Sequence, residues 1–351
     1  LGLLFTTIKG NVLNFRFSKT VLFTAILLVT GCTEAGHTDV AIDDVPLHVE
    51  IGRLDRDLFG SPADSMQAMS RKAYADYGEF YRIYIEDVLQ GAPLEDPRLT
   101  LVLGRFVNDP DWSSTQRAVD SVLGDLEPQR VQFEEAFERL KVLFPDSTTP
   151  RVIAFNSGYN FGIYPTDSVL GVGVEWFIGK DHPVIGYLAP DVFPQYVKDR
   201  MQPAMLVPSA VKGWLLVHYT RDIAGADVLT NLVEVGKVLA LLNALLPDVP
   251  PAQKFAFSQE QFRWCEASEY NIWKEIVAKE QLFSKNADDI GRLMNDGPFT
   301  NGYPHESPGH IGEWIGYRMV EAYMNDNPKV TFEQLFALDD PRVILKSYKP
   351  R

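Results

Sequence analysis

Asp227-Val228-Leu229-Thr230-Asn231-Leu232-Val233-Glu234-Val235-Gly236-Lys237-Val238-Leu239-Ala240-Leu241-Leu242-Asn243-Ala244-Leu245-Leu246 is apolar on nearly every side of a helix. A surface helix shows one apolar stripe, whereas a helix apolar almost all round belongs inside a fold. The stretch therefore predicts a central helix over 227–246. Asn231, Glu234 and Lys237 form its main polar seam. A carboxylate in such a place needs a partner, and Lys237, one turn further on, is the nearest candidate.

Around that helix the pattern is mostly helical. Further helices are expected near 193–201, 208–222, 258–283, 308–325 and 331–337, and helical periodicity dominates from Ser61 to Phe144. Within 128–144, Phe133, Ala136, Phe137, Leu140, Leu143 and Phe144 recur at three- and four-residue spacing, the mark of a buried helical face. Strands are expected at Leu47–Leu54, which alternates at period two, at Arg151–Phe155 and at Ser168–Val174, with turns at 156–160 and 165–167. No internal repeat and no long linker divides the chain. The fold class is α+β, predominantly α: a small β-sheet with many packed helices in one globular domain over 46–351.

Ahead of the domain, Lys9, Arg16 and Lys19 are the only charges in residues 1–31. They precede the apolar run Val21–Val29, which ends in Thr30-Gly31-Cys32. A basic start, a short apolar core and a small residue at the cut describe a secretory signal. The run is too short for a bilayer core, which takes roughly 20 apolar residues. Val29-Thr30-Gly31-Cys32 resembles the bacterial lipobox, in which the cysteine is acylated and becomes the new N-terminus. This reading makes 1–31 a lipoprotein signal peptide, Cys32 the lipidated residue and 32–45 a flexible tether, with the acyl chains holding the protein to a membrane. Thr33-Glu34-Ala35-Gly36-His37 carries one acid rather than an acidic cluster, which points to the outer membrane on its periplasmic side.

Composition agrees with a folded, anchored domain. The chain is 46% hydrophobic and 12% aromatic, enough for a large core. Residues 1–31 hold three bases and no acid, so their removal takes the formal charge from −14 to −17. That charge repels nucleic acid, and no nucleic-acid partner is expected. Cys265 is the only other cysteine. With Cys32 acylated it has no partner, and it reads as a buried free thiol.

Several segments together resemble the gliding motility lipoprotein family of Bacteroidetes, the GldB-like proteins. They are Val49–Phe59, Phe177-Ile178-Gly179-Lys180-Asp181, Glu234-Val235-Gly236-Lys237, Trp264-Cys265 with Glu269 and Trp273, Gly297-Pro298-Phe299-Thr300, Ser307–Gly316 with Tyr323-Met324, and Ser347–Arg351. The resemblance spans almost all of the chain after Cys32. It implies a cell-envelope component needed for gliding and linked to the type IX secretion machinery, with envelope proteins of that machinery as partners. It carries over no catalytic residue.

Two stretches invite a catalytic reading. His305-Glu306 followed by His310 looks like a zinc-peptidase motif, but its histidines stand five apart where one helical face requires four. Ser307-Pro308 reads better as a helix start, and the helix that follows should bury Ile311, Ile315, Met319 and Tyr323, with Gly312 and Gly316 permitting close helix contact. The second stretch is Trp214–His218, followed by Glu234 on the next expected helix. If these helices correspond to those of a gluzincin, His218 stands at the second histidine and Glu234 at the glutamate, while Trp214 and Leu215 replace the first ligand and the base. One histidine and one carboxylate fall short of the three protein ligands of a catalytic zinc. The pair then marks a vestigial site on a degenerate, gluzincin-like scaffold, with no cofactor. The competing readings are a core histidine at His218, a Lys237 partner at Glu234, and, in the other direction, a zinc-dependent metallohydrolase with an unusual ligand set. The expectation is a non-catalytic binding or scaffolding protein.

Overall fold

A computed structural model describes residues 40–42 and 45–351. The expected signal peptide and the expected lipidation site, Cys32, lie outside the described residues.

The apolar stretch 227–246 forms a helix, Val228–Leu245, and only Thr230, Asn231, Val235 and Asn243 escape full burial along it. Asp227 caps its start, accepting from the Thr230 amide at 2.9 Å and the Thr230 hydroxyl at 2.6 Å. It is long and apolar enough to cross a membrane, but 78% of it is buried within the fold, which makes it a core helix. The helix Gly312–Asp326 crosses it with the backbones in direct contact. A Cβ on Gly316 would collide with the Leu232 carbonyl, and one on Gly236 with the Gly316 carbonyl. The small residues are what permit the crossing.

Four short strands form one sheet in the order β1-β2-β4-β3: Ile51–Arg53, Arg151–Phe155, Val169–Gly173 and Ile163–Pro165. β1, β2 and β4 run parallel, and β3 returns antiparallel to β4. The unbroken apolar runs of β2 and β4 suit parallel strands covered on both faces. Alternation along β2 distributes the core. Ile153 and Phe155 pack with Leu54, Leu58, Tyr81, Tyr84 and Ile85, while Val152 and Ala154 join Leu170, Val172, Trp214 and the central helix. Each of these fully buried Val, Ile or Leu side chains contributes about 1.5–3 kcal/mol.

The predominantly helical α+β class is as expected, but several boundaries move. The strand expected over Leu47–Leu54 is only Ile51–Arg53, because the Val49 amide donates to the Glu134 carboxylate at 2.9 Å and Leu54 already starts a helix to Phe59. β3 was not foreseen. Its Pro165 is tolerated at a sheet edge, where no ladder donor is needed. Helix ends move to Gln195–Lys198, Leu206–His218, Gln259–Ala278 and Phe332–Phe336. Ser307 does not cap a helix at 308. Its hydroxyl accepts from the Thr300 amide, and His310, at φ +36°, breaks the backbone just before Gly312. Ile311, Ile315 and Met319 are buried as expected, whereas Tyr323 is half-buried. Cys265 is fully buried, and that burial pushes its thiol well up.

Candidate functional site

In sheets with parallel strands, the loops after the carboxyl ends collect polar side chains. Here Asp55 follows β1, Asn156 and Ser157 follow β2, and Glu175 follows β4, all buried. Arg53 grips Asp55 with two bonds of 2.8 and 2.7 Å. Gln116 donates to Asp55 at 3.0 Å and accepts from the Asn156 amide group at 3.2 Å, and the Tyr84 hydroxyl donates to the Asn156 carbonyl at 2.7 Å. One oxygen of Glu175 accepts from the Ser157 amide (2.8 Å), the Ser157 hydroxyl (2.6 Å) and the Tyr159 amide (3.1 Å). Its other oxygen has no partner among the described residues.

Burial pushes the Glu175 carboxyl up to about 7, against the opposing pull of the Ser157 and Tyr159 donors. A carboxyl that binds its proton more tightly in the folded than in the unfolded chain stabilises the fold below the unfolded value and loses that contribution as pH rises through the folded one. Stability is therefore expected to fall between about pH 4.5 and 7 through this group. Glu175→Gln keeps the three-donor acceptor and should flatten that slope in denaturant unfolding followed across the window. An unchanged slope would show that Glu175 does not titrate there. The sequence offered a signal for this residue, a lone acid inside Gly173-Val174-Glu175-Trp176-Phe177, but nothing local names its donors.

Glu175 anchors the turn that leads through Phe177 to Lys180, and Lys180 stands on the rim of a groove of about 920 Å³. Tyr196, Arg200, Gln253, Pro298, His305 and Glu306 also line it. Three segments of the family resemblance, around 177–181, 297–300 and 307–316, thus meet at or just behind one surface. Several of the groove's side chains are engaged within the fold. Arg200 donates to Asp296 at 2.7 Å and lies 5.4 Å above the Tyr196 ring, Lys180 pairs with Asp181 at 2.9 Å, and His305 packs on Phe299. Behind them His310, 6% exposed, places its ring nitrogens 3.1 Å from the Asp296 carboxylate and 3.1 Å from the Phe255 carbonyl. Burial works against the Asp296 charge, but the His310 hydrogen bond and the Arg200 guanidinium hold it well below the usual carboxylate range. His305, Glu306 and His310 do not form a zinc motif, since His310 is turned inward onto Asp296 while the other two face the groove. What remains is a shaped surface of mixed polarity, suited to recognition.

His218 and Glu234 are not brought together as ligands. His218 is exposed at the end of its helix, correcting the core reading: its ring stacks on Trp214 with centroids 3.7 Å apart and bonds the Thr166 carbonyl at 3.0 Å. Glu234, 2% exposed, pairs with Lys237 at 2.9 Å, the partner the helix spacing named, and also with Arg221 at 3.2 Å. Lys237 donates as well to the Leu338 carbonyl at 2.8 Å. Two cations occupy the carboxylate that a metal would need. Among the described residues, no group of three or more His, Cys, Asp or Glu side chains is placed to hold a metal ion.

No curated protein and no solved structure matches the chain, so the gluzincin comparison gains no support from known folds. Residues 35–350 match the family described as gliding motility protein GldB, nearly the whole described chain. The order of segments that suggested this family in the sequence is thereby accounted for, and the chain belongs to the gliding motility protein GldB family.

Proposed function

We propose that the protein is a lipid-anchored component of the cell envelope that serves the gliding and type IX secretion apparatus by binding other envelope proteins, without catalysis. Membership of the gliding family carries the reading. In it, residues 1–31 are the signal peptide, Cys32 bears the lipid, 32–45 form the tether, and the domain over 46–351 faces the periplasm from the outer membrane. The lipobox-like Val29–Cys32 supports the anchor, and the groove between Lys180, Tyr196 and Glu306 offers the surface for a partner. His218 and Glu234 have no catalytic part.

One complementation experiment tests all of this in cells lacking the gene. Cys32→Ser protein should take up no acyl label and should not restore gliding. Gln253→Arg places a charge in the groove; as a partly exposed substitution it should change stability by no more than about 0.5 kcal/mol and still fail to restore gliding. His218→Ala should glide normally. A folded His218→Ala protein that does not glide, or a gliding Gln253→Arg strain, would overturn the corresponding part of the reading.

A further inference from the structure

A second, smaller cavity of about 220 Å³ lies where the central helix, the short helix Pro251–Lys254, Gln259–Ala278 and Gly312–Asp326 converge. Its volume is below the roughly 300–1,000 Å³ of a drug-sized pocket, which suits a small ligand. Asn243, Lys254, Phe262, Trp314, Tyr317 and Arg318 are among its walls.

Two of these walls carry donors the fold does not satisfy. Lys254 is 3% exposed, and among the described residues its ammonium has one partner, the Asn243 side-chain oxygen at 2.6 Å. No carboxylate among the described residues lies within ion-pair distance of it. Burial pulls the amine down to about 8, opposed by the more distant, exposed Asp248. At neutral pH it is still mainly charged, and a buried charge is costly unless paired. Trp314, 3% exposed, has an indole N–H with no acceptor among the described residues, and an indole nitrogen can only donate. Two carboxylates line the cavity: Glu321 pairs with Arg318 and accepts from the Tyr317 hydroxyl at 3.0 Å, and Glu266 is exposed to solvent. Arg318 is further held by Glu269 at 2.8 Å and sits 5.7 Å above the Trp314 ring. The lining residues thus carry two donors with unmet capacity, one of them cationic, beside the rings of Phe255, Phe262 and Tyr317. Their complement is an anionic acceptor on an apolar body.

We propose that this cavity binds a small apolar carboxylate, its anion taking the free protons of Lys254 and the indole N–H of Trp314 while its hydrocarbon part lies against Phe262 and Tyr317. The site is independent of the gliding reading, and nothing in the groove argument requires it.

Calorimetric titration of the purified full chain in a neutral detergent tests it, with acetate, 3-methylbutanoate and phenylacetate as probes and the amide of each as the uncharged counterpart. The two apolar carboxylates should bind in the millimolar range or tighter, acetate more weakly, and each amide about tenfold or more weakly than its acid, as expected on losing a charge-assisted bond. Lys254→Met should abolish the preference for acid over amide, with a melting temperature unchanged or raised. Trp314→Phe keeps the ring, removes the donor and should weaken the acids several-fold. Absence of binding by every carboxylate, amides binding as tightly as acids, or full affinity in both variants would overturn the proposal.

Discussion

Glu234→Leu is expected to cost about 3–5 kcal/mol of unfolding free energy, the range for removing one partner of a buried ion pair. The substitution leaves the Lys237 ammonium, 0% exposed, with the Leu338 carbonyl as its one remaining partner. It also releases Arg221, which ties Glu234 to Asp339 and so joins the central helix to the segment before the C-terminus. The double variant Glu234→Leu with Lys237→Met should recover most of the loss, because apolar residues of similar volume often replace a buried pair at little cost. Urea midpoints at constant slope measure both. If Glu234→Leu shifts the midpoint no more than an exposed substitution does, the pair is not a structural element. Glu234→Gln is likewise a stability lesion, so a loss of gliding in that variant says nothing about catalysis. His218→Ala is the clean probe, since His218 is exposed and, among the described residues, holds the Thr166 carbonyl and the Trp214 ring.

Gly316→Ala is expected to cost about 3 kcal/mol or more, at or above the upper end of overpacking effects. In most helices the added methyl would help, since alanine favours helix over glycine by about 1 kcal/mol. Here the new Cβ would overlap the Leu232 carbonyl, and neither helix can yield alone. Gly236 meets the Gly316 carbonyl from the other side, and a Cβ on Gly312 would lie 2.6 Å from Leu232 Cδ2. Relief would require the two helices to separate along their crossing, opening space around Leu232, Ile315 and Met319, all fully buried. Gly186→Ala is the control. Nothing lies within 4 Å of its added Cβ, so a change within about 1 kcal/mol is expected. Thermal unfolding of the two variants side by side separates the effect of close packing from that of glycine's backbone freedom. Equal melting temperatures would show that the helices can part freely.

Local pattern reached a good part of this molecule. An all-round apolar helix with Glu234 and Lys237 one turn apart is a statement about neighbours in sequence, and both its burial and its pairing are found. The apolar runs of β2 and β4, the buried face of Phe133, Phe137 and Leu140, and the thiol of Cys265 were legible for the same reason. Misreadings occurred where the fold, rather than the local pattern, decided the matter. Leu47–Glu50 alternates like a strand, yet Glu134 takes the Val49 amide. Ser307-Pro308 has the composition of a helix start, yet Thr300 takes the serine and His310 turns the chain. His218 sits between apolar residues, yet the helix ends there and leaves it exposed.

The sequence by itself therefore determined the class of fold, the helix at its centre, the Glu234–Lys237 pair and the gliding family, because periodicity and segment order are properties of the chain alone. Only the tertiary structure decided the groove, the Glu175 cradle and the lysine cavity. Arg200 meets Asp296, His310 meets Phe255, and Lys254 shares a wall with Trp314. Those encounters join residues tens of positions apart, and burial, which sets the cost of every unpaired charge among them, exists only once the helices have packed.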